Sequence, residues 1–401
     1  MRHLLPLLLL GATALSGATA QTTPGLLVAG YNSNAVHRYD ETSFASTGAV
    51  GAVAGAQSMR YGPNGDLFVP AEKNGRIIRF DATTGARSRF VFDDPATPGD
   101  ETGGLQNPTS AIFGTDGKMY VGDFAGDSVL RYDGATGAYL DVFVASSRGG
   151  LNGPDAGMTF GPDGHLYVPS FNTDAVLRFD GTTGAWLGDF IPAGSGGLSR
   201  PRMLRFHSDG RLYVSSWASN RILRYSLDGT FIDEFATSQR PTGMVFRPDT
   251  GDLLVCSDAT DTVRQYDAQT GAFKGLLVGS GSGGLNGATF LEYYPDRALH
   301  QRRLTPGQVG VPSSVGVDGA APSAALLLLA GTGSLPRYIA ACPAWIGVDP
   351  PIAVPLFADP SGSLTLSLVP PPALLGMDVV TQFAEPAACR TSSLGLTRIT
   401  P

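Results

Sequence analysis

This chain of 401 residues is poor in charge, in cysteine and in histidine. Asp, Glu, Lys and Arg make up 16% of it, and the formal net charge is −7. A mildly acidic chain without a run of Lys or Arg offers no electrostatic footprint for nucleic acid or an anionic membrane. After Ala20 no apolar run approaches the ~18 residues of a spanning helix; the longest, Ala324–Ala330, is strand-sized. Gly-x-Ser-x-Gly, His-Glu-x-x-His and Cys-x-x-Cys are all missing. The three cysteines, Cys256, Cys342 and Cys389, are too few for a disulfide framework in a chain of this length.

Glycine is plentiful instead, with 53 copies, and it punctuates a repeat. The stretch Leu166–Asp180, LYVPSFNTDAVLRFD, returns six times with drift. Its apolar triplets are Leu26-Leu27-Val28, Leu67-Phe68-Val69, Met119-Tyr120-Val121, Leu166-Tyr167-Val168, Leu212-Tyr213-Val214 and Leu253-Leu254-Val255. Eleven residues past each Val stands an aromatic: Tyr39, Phe80, Tyr132, Phe179, Tyr225 and Tyr266. A period of 41 to 52 residues, rich in strands and Gly turns, points to a ring of β-blades.

Each repeat supplies four strands, A to D. In the fourth they are Ala156–Gly161, His165–Ser170, Ala175–Asp180 and Trp186–Ile191. Asp-Gly and Thr-Gly pairs between them provide the positive φ of tight hairpins. The first repeat lacks strand A, and Gly287–Asp296, GATFLEYYPD, aligns with strand A of the last full repeat. That segment is expected to complete the first blade, closing the ring and removing two sheet edges. The expected fold is all-β: a six-bladed β-propeller with four-stranded blades, followed by a small β-sandwich-like domain.

The frame over residues 25–296 resembles the NHL-type and virginiamycin B lyase-like propellers of secreted bacterial proteins. This superfold hosts lyases, lactonases and binding modules alike, so function must come from sites. The domain plan is a signal peptide at 1–20, the propeller at 21–296, a linker at 297–323 and the C-terminal domain at 324–401. Arg2, the apolar Leu4–Leu10 and Ala18-Thr19-Ala20 have the order of a secretory signal with its cleavage site. The expected location is therefore extracellular or periplasmic, and the expected state a monomer.

Two sets of residues are candidates for function. The third residue past each triplet, in the corner between strands B and C, is Tyr31, Glu72, Phe124, Phe171, Trp217 or Asp258. Corners of this kind ring the mouth of a propeller channel, and aromatics beside carboxylates suit sugars, peptides or amines. Packing between blades is the competing explanation. In strand A the matching column reads Arg60, Ile112, Thr159, Arg205, Val245 and Glu292. Charges among apolar neighbours are expected to pair, so Arg60, Arg205 and Glu292 read as a clasp across the closure, with an anion-binding channel as the alternative. The repeated Arg-Tyr-Asp endings read as architecture, since one site would not need six copies.

No catalytic residue is assigned. His37, His165, His207 and His300 do not converge, as a His-based lyase centre would require. Lactonases of the gluconolactonase type hold a metal with channel carboxylates and an Asn, and Glu292 alone stands in that column, so no cofactor is expected and Ca²⁺ has no support beyond it. In the C-terminal region, Ala325–Thr332, the Asp359–Leu368 hairpin and Leu394–Ile399 resemble a β-domain appended to planctomycete-type secreted propellers. Cys342 and Cys389 both fall there and are expected to pair; Cys256 reads as a buried thiol. The leading reading is a non-catalytic binding or scaffold module for a peptide, glycan or cell-wall component. The rivals are a hydrolase or lyase with a channel metal, and a structural envelope component.

Overall fold

A computed structural model of the chain describes residues 25–62, 65–82, 84–207, 209–247 and 250–294, with the backbone of strands between 300 and 398. Met1–Ala20 and the side chains of Cys342 and Cys389 lie outside the described residues. Among those described, no helix is long and apolar enough to cross a membrane.

Six four-stranded antiparallel sheets follow one another along the chain. The third is typical: Pro108–Phe113 innermost, then Met119–Asp123, Ser128–Tyr132 and Tyr139–Val144. Strand B is buried on both faces, strand C is buried except at Arg131, and strand D is open to solvent for most of its length. The first blade is completed by Ala288–Tyr294 pairing with Gly25–Gly30, with Leu26 opposite Tyr293 and Val28 opposite Leu291. The repeat alignment expected this closure. It satisfies the backbone groups that an open ring would leave bare at both ends.

Between blades the faces interlock. Phe68, Ile77 and Phe90 of blade 2 share one cluster with Met119, Val121 and Tyr132 of blade 3. The aromatics ending strand C are at most 3% exposed. Tyr39, Tyr132 and Tyr225 donate their hydroxyls, each at 2.7 Å, to the carbonyls of Ser282, Thr102 and Ser195. Each reaches the connection that enters its own blade, so the phenol both fills a seam and fixes a loop. The following aspartates hold turns: Asp133 accepts from the backbone N–H of Ala135 and Thr136 and from the Thr136 hydroxyl.

Two details depart from the sequence reading. Strand A of blade 4 is only Thr159–Phe160, because Asp155–Gly157 turn away and the Gly157 N–H donates to Arg202 O in the next blade. In the C-terminal region Ile352–Phe357 and Leu364–Leu368 do not form a hairpin. The first pairs with Ala325–Gly331, the second with Ser313–Asp318. Ala325–Gly331, an almost unbroken apolar strand, is flanked by two partners, Ile352–Phe357 and Asp378–Glu385, as such a run is when it takes an interior position. Residues 297–323 hold two paired strands, His300–Arg303 and Ser313–Asp318. Cys256 is a free, buried thiol.

Candidate binding face

At every B–C corner the backbone repeats one bond. The corner residue's N–H donates to a carbonyl in the connection that leads into its blade: Tyr31 to Gly287, Glu72 to Gly55, Phe124 to Asn107, Phe171 to Gly153, Trp217 to Arg200 and Asp258 to Arg240. Corners and connections therefore share one face of the ring. The six side chains meet along it in two groups, Phe124–Phe171–Trp217–Asp258 and Tyr31–Glu72. Phe124 and Phe171 lie 5.8 Å apart between ring centres, Phe171 and Trp217 5.9 Å. Trp217 Nε1 donates to Asp258 Oδ2 at 2.9 Å, and the Tyr31 hydroxyl reaches Glu72 Oε1 at 3.5 Å. All six are half-buried, unlike the strand C aromatics.

Inside this ring lies a polar cluster that the sequence reading missed. Arg202 donates to Asp155 from Nε (3.0 Å) and Nη2 (3.3 Å), and from Nη2 to Gln57 Oε1 at 3.0 Å. Gln57 in turn donates to Glu72 Oε2 at 2.5 Å. Arg202, Asp155 and Gln57 are 9%, 1% and 8% exposed. Burial pushes the Glu72 carboxyl above its usual range, with Asp155 adding to the shift against the bonds from Gln57 and Tyr31. Burial alone would depress the Arg202 guanidinium, but Asp155, Asp258 and Glu72 outweigh it and hold it above its ordinary value. Burial, and then Glu72, likewise raise the Tyr31 phenol.

A signal for this cluster was present in the repeat. Three residues ahead of the channel column stand Gln57, Thr109, Ala156, Arg202, Thr242 and Thr289. The threonines tie blade to blade, bonding to Pro154 O, Ala288 O and Ala56 O at 2.7, 2.9 and 2.8 Å. Gln57 and Arg202 break that pattern and turn to the centre. One position earlier, Asp155 replaces what is Ala or Pro in the other blades.

No protein-family model matches the chain, and no curated protein matches it by sequence. Solved structures do match. A propeller in a nidogen/laminin complex aligns with a TM-score of 0.53 and 14% identity, over 68% of this chain and 99% of that one. A streptogramin B lyase aligns at 0.46 and 13%, over 64% and 83%. A catalytically inactive virginiamycin B lyase from Staphylococcus aureus with quinupristin aligns at 0.45 and 13%, over 74% and 92%. The likeness is one of fold, the β-propeller.

Along the propeller's inner strands the charged column is paired. Glu292 Oε2 accepts from Arg60 Nη1 and Arg205 Nη2, both at 3.1 Å. Arg205 Nε also reaches Met244 O at 2.8 Å, and Arg60 lies 4.6 Å over the Phe290 ring. Burial and the facing Arg205 lower the Arg60 pKa and Glu292 opposes them; a guanidinium so placed stays cationic at neutral pH. These side chains keep 18–24% of their surface, so the clasp is partly wet.

The described histidines stand apart. His37 Nδ1 lies 3.1 Å from Gly283 O and its Nε2 lies 2.7 Å from the Ser33 hydroxyl. His165 lies 3.8 Å from Asp180, while His207 stacks on Phe246 beside Asp209. Among the described residues no group of three His, Cys, Asp or Glu is arranged to hold a metal ion. A cavity of about 600 Å³, lined by Gly75, Arg76, Asp93, Asp100 and Gln106, opens at the seam of blades 2 and 3.

Proposed function

We propose that this chain is a secreted, non-catalytic binding or scaffold propeller whose ligand sits on the corner face around the channel mouth. The observation that carries this is the convergence of Tyr31, Glu72, Phe124, Phe171, Trp217 and Asp258 around a buried Arg202–Asp155–Gln57 cluster. Packing alone gives no reason to bury an ion pair beside the half-exposed Phe171 ring, 6.0 Å from the Arg202 guanidinium, because a hydrophobic replacement is often as stable. A recognition site does: rings supply area at low entropic cost, and fixed polar groups set orientation. Glu292, engaged by two arginines, is a poor start for a channel metal, which weighs against the lactonase-like alternative.

The test is a glycan and peptide array probed with the wild-type chain and with Trp217→Ala. For any ligand found, the variant should bind at least about tenfold more weakly, as loss of an aromatic anchor implies. Its thermal melt should stay close to wild type. Unchanged affinity, or unfolding of the variant, would mean that Trp217 serves packing between blades.

A further inference from the structure

The connections into blades 1, 2 and 4 supply their corner-binding carbonyl from glycine: Gly287, Gly55 and Gly153, with φ of 70°, 65° and 68°. In blades 5 and 6 the same place is taken by Arg200 and Arg240, still at positive φ, 53° and 39°. The local frame is unchanged. The N–H of Gly55, Gly153, Arg200 and Arg240 is accepted by Asn34, Asp127, Asp174 and Asn220, at 2.9, 2.8, 2.7 and 2.8 Å. A side chain in that conformation is disfavoured by the contact of Cβ with the backbone, so two arginines stand where glycine is the easier choice.

Both send their guanidinia to the same ring. Arg240 lies 4.8 Å and Arg200 5.6 Å from the Trp217 centroid, and Arg200 is 5.4 Å from Phe171. Both are exposed. Arg240 approaches Asp258 only at 4.0 Å, and no carboxylate among the described residues pairs with Arg200. Beneath them Arg202 is already matched by Asp155. Two under-neutralised cations are thus held together over an aromatic ring, at a backbone cost that nothing in the ring's architecture requires. Strain of this sort persists where a site uses it.

We infer that the Arg200–Trp217–Arg240 triad is an anion subsite of the corner face, and that its ligand is an acidic glycan carrying carboxylate or sulfate groups. This rests on the binding-face reading above. Guanidinia present paired donors that match such oxyanions, and the arc Phe124–Phe171–Trp217 offers faces for the C–H side of sugar rings. An acidic peptide is the poorer fit, because the corner N–H groups a peptide strand would use are all spent on the connections.

The repeat itself supplies the variants: Arg200→Gly, Arg240→Gly and the double substitution restore the residue that blades 1, 2 and 4 carry. Affinity electrophoresis of the full chain in gels containing polygalacturonate, dextran sulfate, neutral dextran or poly-glutamate reads the binding. The wild type should be retarded by polygalacturonate or dextran sulfate, less so as salt rises. The double variant should bind at least about tenfold more weakly, while melting at or above the wild-type temperature. A lower melting temperature would make the arginines structural and overturn the inference, as would retardation by poly-glutamate alone. Retention by neutral dextran, lost in Trp217→Ala but not in the arginine variants, would overturn the acidic ligand and leave the binding face standing. No retardation by any of the four overturns the acidic-glycan subsite; the array then decides the face by itself.

Discussion

The two ends of the blades follow different rules. At the C–D turns side chain and backbone repeat together: Asp40, Asp81, Asp133, Asp180 and Asp267 each accept the N–H three residues on, at 2.7–2.9 Å. Those bonds, with the neighbouring hydroxyls, hold the Asp40, Asp133, Asp180 and Asp267 carboxyls below their usual range. At the B–C corners only the backbone repeats. The same N–H bond recurs six times, while the side chains are four aromatics and two acids. A turn that needs its side chain keeps it in five of the six copies, and in blade 5, where Ser226 stands, Asp228 accepts the Thr230 N–H instead. A corner fixed by backbone alone leaves its side chain free for other work, and that is where departures gather.

The sharpest way to break this contrast is Asp155→Asn. It leaves the Arg202 guanidinium, 9% exposed, without its nearest charge partner, with Asp258 next at 3.9 Å. The expected loss is about 3 kcal/mol, the lower end for a buried pair, because the channel mouth admits some water. Asp133→Asn, at a turn, should cost about 1 kcal/mol, the worth of one capping carboxylate. Denaturant midpoints of the full chain give the comparison. Adding Arg202→Met to Asp155→Asn should recover much of the loss, since a well-packed apolar replacement is often neutral. Equal losses at Asp155 and Asp133 would remove the distinction between the two ends.

The same contrast explains what could be read from sequence. Blade number, strand order and the closing strand were legible, because each rests on residues repeated in phase: the triplets, the Tyr or Phe endings and the Gly turns. Tyr31, Glu72, Phe124, Phe171, Trp217 and Asp258 could be placed on one face, since the period fixes where a corner lies. Arg202, Asp155 and Gln57 were not found. Their columns are mostly threonine, alanine or proline, and a single departure in a column carries no periodic signal. Nor could sequence show that Arg200 and Arg240 adopt positive φ, as Gly55, Gly153 and Gly287 do at the same place in their blades. The hairpin expected around Asp359–Gly362 failed because local turn chemistry does not determine which strand an apolar run will choose as its partner.

A smaller effect tests the channel clasp. Glu292→Gln removes the charge between Arg60 and Arg205 and leaves them facing each other. With about a fifth of each surface open, the full cost of a buried pair does not apply; about 1–2 kcal/mol is expected. Asp189→Asn, on an exposed outer strand, is the control. A denaturant midpoint unchanged in both would mean that the clasp adds nothing to closure, and Glu292 would then be free for a channel ligand.

The smallest expected effect lies at Glu72, and its sign separates a binding residue from a structural one. The folded-state pKa of this carboxyl is raised, chiefly by burial. A group shifted that way favours the folded state below its unfolded pKa, and that contribution disappears as pH rises through the folded value. At neutral pH the charged form therefore weighs against folding. Glu72→Gln keeps an oxygen to accept from Gln57 and removes the charge. The difference in melting temperature, variant minus wild type, should become more positive as the pH rises from about 4 to 7. The scale is roughly 1–2 °C, as for a change below 1 kcal/mol in a domain of this size. A variant that instead loses stability at neutral pH would show Glu72 acting as a turn aspartate does, holding the fold by its charge. The corner would then belong with the opposite end of the blade.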